Sequence, residues 1–274
     1  MSGRDVSRVV VVGQGYVGLP LAMRAVDAGY DVVGYEVDEG RVKRLLAAET
    51  YVEDVPSAEL ARALATKRYR PTVDASACTD FDVAVVTVPT PLHEGAPDLS
   101  FIESAATTLA GHLRAGATVI LESTTYPGTT EEMVAPLLEE GSGLVAGHDF
   151  FLGYSPERID PGNPDWNLAN TPKVVSGIDE GSLAAVQGFY DRIVERTVAV
   201  SGCKEAELTK LLENTFRHVN IALVNELAMF AGDLGIDVWE AIDAASRWCF
   251  RSASAAGERQ MLPVQRKRMS MAGV

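Results

Sequence analysis

The chain has 274 residues, 47% hydrophobic and 23% charged, which is ordinary for a soluble globular protein of one large or two modest domains. Its formal net charge of −14 argues against a nucleic-acid partner, because nothing basic is available to displace phosphate counterions. No apolar run approaches the ~20 residues needed to span a bilayer, and Cys78, Cys203 and Cys249 are too widely spaced for a metal-ligand or disulfide pattern.

The N-terminus, MSGRDVSRVVVVG, enters a strand almost at once and has no secretory cleavage region, which predicts a cytoplasmic protein. Four valines then run into Gly13-x-Gly15-x-x-Gly18, followed by an apolar helical stretch and a second strand ending at Glu36. That is the order of a dinucleotide-binding βαβ unit. The first glycine allows a tight strand-to-helix turn, the second lets the backbone approach a pyrophosphate, and the third lets helix pack on strand. The helix N-terminus faces the phosphates with free N–H groups and its positive dipole end. Glu36 lies 18 residues past Gly18, placed to accept hydrogen bonds from the ribose hydroxyls of an adenosine. A carboxylate there repels a 2′-phosphate and favours NAD over NADP; the alternative is an ordinary solvated strand end.

Strand-like and helical runs alternate along the rest of the first 200 residues, as a parallel α/β sheet requires. Strands are predicted near 8–12, 31–36, 82–88, 117–121, 149–154, 173–177 and 195–200. Predicted helices include 16–28, 39–47, 57–67, 100–113 and 180–192. Residues 155–172, SPERIDPGNPDWNLANTP, contain four prolines and read as a long irregular loop, a kind of segment that is usually functional inside an α/β domain.

From about 204 to 234 the pattern becomes one long helix. Its apolar positions, among them Leu208, Leu211, Leu212, Phe216, Val219, Leu223 and Leu227, cover most of the circumference. At about 100° per residue, Lys210, Asn214, Arg217 and Asn225 fall within about 80° of one another. A polar stripe this narrow marks either a functional face or a set of structural pairs. After Trp248 the period disappears and a basic cluster occupies 266–268, so the end of the sequence reads as a divergent tail.

Five ordered motifs resemble the UDP-glucose/GDP-mannose dehydrogenase family of nucleotide-sugar 6-dehydrogenases. They are the glycine-rich start, VTVPTPL at 86–92, ESTTYPGTT at 122–130, SPERIDPGN at 155–163 and LTKLLENTFRHVNIALVNELA at 208–228. The resemblance covers about residues 5–246 and is nearest the branch acting on UDP-N-acetylhexosamines, with UDP-glucose enzymes close behind. It implies an N-terminal Rossmann-type doubly wound sheet over 1–200, a central helical dimerisation and substrate region over 201–247, and a tail over 248–274. Members oxidise C6 of a nucleotide sugar from alcohol to carboxylate with two NAD.

The resemblance implies cofactor positions at Gly13, Gly15, Tyr16, Val17, Gly18, Glu36, Thr90 and Thr124. It also implies catalytic roles for Thr124, holding a water or the sugar oxygen, and for Glu157, assisting proton transfer and hydrolysis. Lys210 would stabilise the developing alkoxide and Asn214 would hydrogen-bond the same oxygen, the i,i+4 spacing placing both on one helical face. Arg217 is a candidate for sugar or phosphate recognition, with an intrachain ion pair the equal alternative. No metal site is expected, and the long helix is expected to pair with a second copy in a homodimer.

Two features depart from the family. The second oxidation needs a cysteine in a GxGGHCxPxDP-like segment, and RWCFRSAS around Cys249 has none of its glycines, histidine, proline or aspartate. The C-terminal UDP-binding domain also has no counterpart in these residues, so the sequence reads as truncated. Three functions stay open: a nucleotide-sugar 6-dehydrogenase, whole or stopping at the aldehyde; a non-catalytic NAD-binding protein; and an inactive remnant.

Overall fold

Valine-rich segments with apolar residues on both faces set the architecture, because such strands are stable only in a sheet covered on two sides. In this computed structural model, residues 8–93, 95–158 and 168–249 are described. The first half runs β1 (Arg8–Val12), α1 (Gly18–Asp27), β2 (Asp31–Tyr35), α2 (Glu39–Leu46), α3 (Ser57–Ala65), β3 (Tyr69–Thr72) and β4 (Val83–Val86). A short hairpin, β5 (Leu92–His93) and β6 (Ala96–Pro97), precedes α4 (Ser100–Ala110), β7 (Thr118–Leu121), α5 (Ala135–Ser142) and β8 (Phe151–Tyr154). Then come β9 (Lys173–Val175), α6 (Glu180–Tyr190), β10 (Thr197–Ala199), α7 (Cys203–Asp233) and α8 (Val238–Cys249). The chain divides into two compact units, the first reaching Lys210 and the second starting at Leu211, so that α7 contributes to both.

In the first unit six parallel strands are ordered β3-β2-β1-β4-β7-β8. The strand order reverses between β1 and β4, and the crevice at the carboxyl ends of those two strands is where open α/β sheets bind ligands. Alternation along β1 builds both cores: Val9 and Val11 join Leu19, Leu21, Tyr30 and Phe189 on one face, Val10 and Val12 join Phe81, Ile102 and Leu109 on the other. β9 and β10 pair in parallel beside this sheet. Past β9 the chain runs antiparallel to β8, Ser176 N–H donating to the Tyr154 carbonyl and Ile178 N–H to that of Leu152, each at 3.0 Å.

Helix starts follow local chemistry. The Asp38 carboxylate accepts from Gly40 N–H and Arg41 N–H at α2, and Asp179 accepts from Ser182 N–H at α6. All seven expected strands and all five expected helices are present with ends moved by a few residues. The expectation of 82–88 shortens to Val83–Val86 because Thr87 turns its hydroxyl onto the Val12 and Gly13 carbonyls, both at 2.9 Å. β3 was not anticipated: its sequence YRPT carries a proline, which a sheet tolerates at an edge, and β3 is the edge strand. The irregular loop expected over 155–172 holds at Ser155–Arg158 and Leu168–Pro172, while residues 159–167 and the tail beyond Cys249 lie outside the described residues.

The expected long helix is α7. Its first two turns are fastened to the first unit by Glu207, a fully buried carboxylate that accepts Gly128 N–H at 2.6 Å, Thr130 N–H at 2.9 Å and the Thr130 hydroxyl at 2.7 Å. Burial pushes the Glu207 carboxyl up, and those three donors pull it back. Glu207→Ala is expected to cost about 2–4 kcal/mol, because it strands three buried donors, read as a lower midpoint in urea denaturation; a loss below 1 kcal/mol would contradict this anchoring. In the second unit Leu212, Phe216, Val219, Leu223, Leu227, Met229 and Phe230 are exposed along α7.

Candidate active site

The turn from β1 into α1 is built so that backbone, and not side chain, lines its outer surface. Gly13 has a φ of +89°, and its N–H donates to the Tyr35 carbonyl at 2.8 Å. A Cβ on Gly18 would overlap the Gly13 carbonyl oxygen and the Thr87 hydroxyl, so this position closes the turn against β4. A Cβ on Gly15 would meet no protein atom within 4 Å, leaving the approach to its backbone open. No side chain caps α1, and no acid lies in its first turn. Free N–H groups, an open glycine and a positive helix end suit a pyrophosphate.

The residue between the first two glycines holds this turn rigid. Gln14 is fully buried. Its N–H donates to Glu36 Oε2 at 3.0 Å, its Nε2 to the Val11 carbonyl at 2.9 Å, and its Oε1 accepts the Tyr69 hydroxyl at 2.7 Å. The Tyr51 hydroxyl donates to the Gln14 carbonyl at 2.6 Å. Glu36 is therefore no solvated strand end. It is 5% exposed, accepts Asp38 N–H at 3.1 Å as well as Gln14 N–H, and has Arg41 at 3.4 Å. Arg41 and Arg44 both lie over the Tyr51 ring, at 5.6 and 5.2 Å from its centroid. Tyr16 is 65% exposed, Val17 stands at the helix cap, and Thr90 lies four residues past β4 in the loop leading to β5.

Thr124, Glu157 and Lys210 lie at the same end of the sheet. Thr124, exposed, follows β7 by three residues, and Glu157, partly buried, follows β8 by three. The Lys210 ammonium donates to the main-chain carbonyl of Glu157, joining α7 to the segment after β8. Strands β1, β4, β7 and β8 thus deliver the glycine turn, Thr90, Thr124 and Glu157 to one edge. Asn214, Arg217 and Asn225 are on α7 in the second unit, Asn214 and Arg217 both partly buried.

Sequence reasoning missed what lies behind Glu157. Glu122, at 2% exposure, directly follows β7; Lys173, at 3%, begins β9; Tyr190, fully buried, ends α6. The Lys173 ammonium bonds Glu122 Oε1 and stands 3.4 Å from Glu157 Oε2. The Tyr190 hydroxyl donates to Glu122 Oε2 at 2.7 Å, and the Tyr190 ring centroid is 5.2 Å from the ammonium. Burial and the neighbouring Glu157 carboxyl push the Glu122 carboxyl up, against the pull of Lys173. Lys173 is held up as a cation by Glu122 and then Glu157, in spite of its burial. A lysine opening an otherwise apolar strand was the available signal, but its partners come from three other elements.

Cys78 and Cys203 are buried thiols raised to about 11 and about 12, in each case first by burial, and so are inert as nucleophiles. Cys249 closes α8; its side chain lies outside the described residues. Among the described residues no group of His, Cys, Asp and Glu side chains could hold a metal, and no helix is long and apolar enough to cross a membrane.

Comparison with known proteins agrees with this reading. Residues 7–194 match the NAD binding domain of the UDP-glucose/GDP-mannose dehydrogenase family, and residues 204–254 match its central domain. A UDP-N-acetyl-D-glucosamine 6-dehydrogenase of Pseudomonas aeruginosa is 41% identical over 246 residues, covering 89% of this chain and 57% of that protein. The UDP-N-acetyl-D-mannosamine dehydrogenase of Pyrococcus horikoshii is 38% identical over 240 residues, and its structure superposes with a TM-score of 0.83 over 87% of this chain and 57% of that one. The UDP-N-acetyl-mannosamine dehydrogenase of Staphylococcus aureus gives a TM-score of 0.79 at 29% identity, covering 88% of this chain and 58% of its own. The chain therefore spans little more than half the length of these relatives. NAD is the cofactor for which the glycine turn is built. With the sheet order, the glycine turn and two consecutive domain matches in agreement, the chain belongs to the UDP-glucose/GDP-mannose dehydrogenase family.

Proposed function

We propose that this chain oxidises the C6 alcohol of a UDP-linked sugar, a UDP-N-acetylhexosamine before UDP-glucose, with NAD. Bound NAD supplies the hydride acceptor. The alcohol loses its proton toward Glu157, directly or through one water. Lys210 and Asn214 face the oxygen on which negative charge builds, and a fixed cation and amide donor lower that barrier electrostatically. Thr124 holds the oxygen or a water, and Arg217 takes the sugar or a phosphate. The products of this step are the aldehyde, NADH and a proton. The observation that carries the proposal is the bond from Lys210 to the Glu157 main chain, which brings the lysine of α7 to the acid after β8 at the sheet edge carrying Thr124.

The test is NADH formation by the purified chain with UDP-N-acetylglucosamine, UDP-N-acetylmannosamine and UDP-glucose, followed by product mass. NADH with an aldehyde is the expected result. A uronic acid would require a nucleophile beyond the residues assigned here, and demonstrated NAD binding without NADH from any sugar would sink the proposal.

Glu36 sets the cofactor in this reading. Besides bracing Gln14, it receives the ribose hydroxyls, so Glu36→Ala is expected to weaken NAD binding by about 10–100-fold, the range for losing hydrogen bonds to a charged group. The same variant is expected to narrow the preference for NAD over NADP, since Arg41 stays beside the vacated carboxylate position. Unchanged dissociation constants for both cofactors in calorimetry would remove Glu36 from the site. The exposed apolar face of α7 pairs with a second copy, so light scattering should give twice the 29.3 kDa chain mass; a monomer would refute the pairing.

A further inference from the structure

Three ionisable side chains from three elements meet behind the sheet edge: Glu122 directly after β7, Glu157 after β8 and Lys173 at the start of β9. The Glu122 side chain has no exposed surface and that of Lys173 only 3%, whereas 13% of Glu157 is exposed. Of the three, only Glu157 has access to anything outside the protein. Taking an ammonium out of water costs several kcal/mol, and one carboxylate would balance it. Here Glu122, with the hydroxyl and ring of Tyr190, already does so. The second carboxylate at 3.4 Å is surplus to neutrality, and it is the one that reaches the open side.

We propose that Lys173, held by Glu122 and Tyr190, is the positioning residue of Glu157: a buried ammonium that fixes the Glu157 carboxylate at the site and keeps it anionic. The proposal rests on the role given to Glu157 above and adds the device that sustains it. Among the described residues, charged or titratable groups beside the three include Arg158, whose main-chain N–H donates to Glu157 Oε1 at 2.6 Å, Lys210, bonded to the Glu157 carbonyl, and the buried Tyr154 phenol, which feels the Glu122 charge. When Glu157 accepts a proton its attraction to the ammonium falls and Glu122 keeps Lys173 charged, so the clamp survives a change in the state of Glu157. A base that must give its proton up again needs such a fixed partner.

The test is a carboxyl-carbon NMR titration of the full chain labelled at glutamate Cδ, with Glu157→Gln and Glu122→Gln identifying the two resonances. Lys173→Met is expected to make Glu157 about tenfold easier to protonate, the effect of losing one close cation. Because that variant leaves Glu122 buried without its partner, the double variant Glu122→Gln/Lys173→Met is measured as well. It removes both charges at nearly constant volume and is compared with Glu122→Gln alone, so that only the ammonium differs between the two; the same tenfold change in Glu157 is expected between them. A Glu157 midpoint in the folded double variant within twofold of that in Glu122→Gln would overturn the proposal. NADH formation separates the two claims. Glu157→Gln turning over at the wild-type rate would overturn the role of Glu157 while the titration result stood. An unmoved titration would overturn the role of Lys173 whatever Glu157 does.

Discussion

Gly15→Ala and Gly18→Ala are expected to weaken NAD binding strongly for different reasons, and stability tells them apart. At Gly18 a Cβ would collide with the Gly13 carbonyl and the Thr87 hydroxyl, and the carbonyl belongs to the turn itself. Relief requires α1 to move off β4, which costs about 1–3 kcal/mol as overpacking and lowers the melting temperature by several degrees. At Gly15 a Cβ meets no protein atom within 4 Å, so Gly15→Ala should melt within about 0.5 kcal/mol of wild type, as surface substitutions do. Its methyl stands where the pyrophosphate approaches the backbone. Calorimetry should find NAD affinity reduced by about 100-fold or more in both variants, about 2.7 kcal/mol. Gly15→Ala binding NAD as wild type does would mean that the pyrophosphate does not cross the turn at Gly15.

The contrast between these glycines shows what the sequence made legible. Spacing alone placed the strand, turn and helix around Gly13, Gly15 and Gly18, because each glycine answers a local backbone demand. Glu36 was found for the same reason, at a fixed distance along a βαβ unit. Its second task, accepting the Gln14 N–H, was invisible, because it depends on Tyr51 and Tyr69 arriving from later segments to fix Gln14. Glu122, Lys173 and Tyr190 escaped likewise. Each sits in an ordinary-looking stretch, and only the order of β7 and β8, together with the return of the chain past β9, brings them together. The edge strand β3 was missed because its proline argues against a strand unless the strand is known to lie at an edge.

Lys210→Met should reduce NADH formation by about 10³-fold, about 4 kcal/mol, the upper end of the effect of removing one preorganised donor from a developing oxyanion. NAD affinity should not move, since the glycine turn and Glu36 are built from other elements. The side chain has two tasks that the substitution removes together: its charge, and its bond to the Glu157 carbonyl. Lys210→Arg separates them. A guanidinium keeps a positive charge and can donate to that carbonyl, but it is planar and differently placed from a compact ammonium. If the bond to the Glu157 main chain is what matters, Lys210→Arg recovers most of the rate. If a point charge at the reacting oxygen is what matters, Lys210→Arg stays within about tenfold of Lys210→Met, and that is the expected result. NADH formation by Lys210→Met within tenfold of wild type would remove Lys210 from the chemistry and leave it as the pin between α7 and the segment after β8.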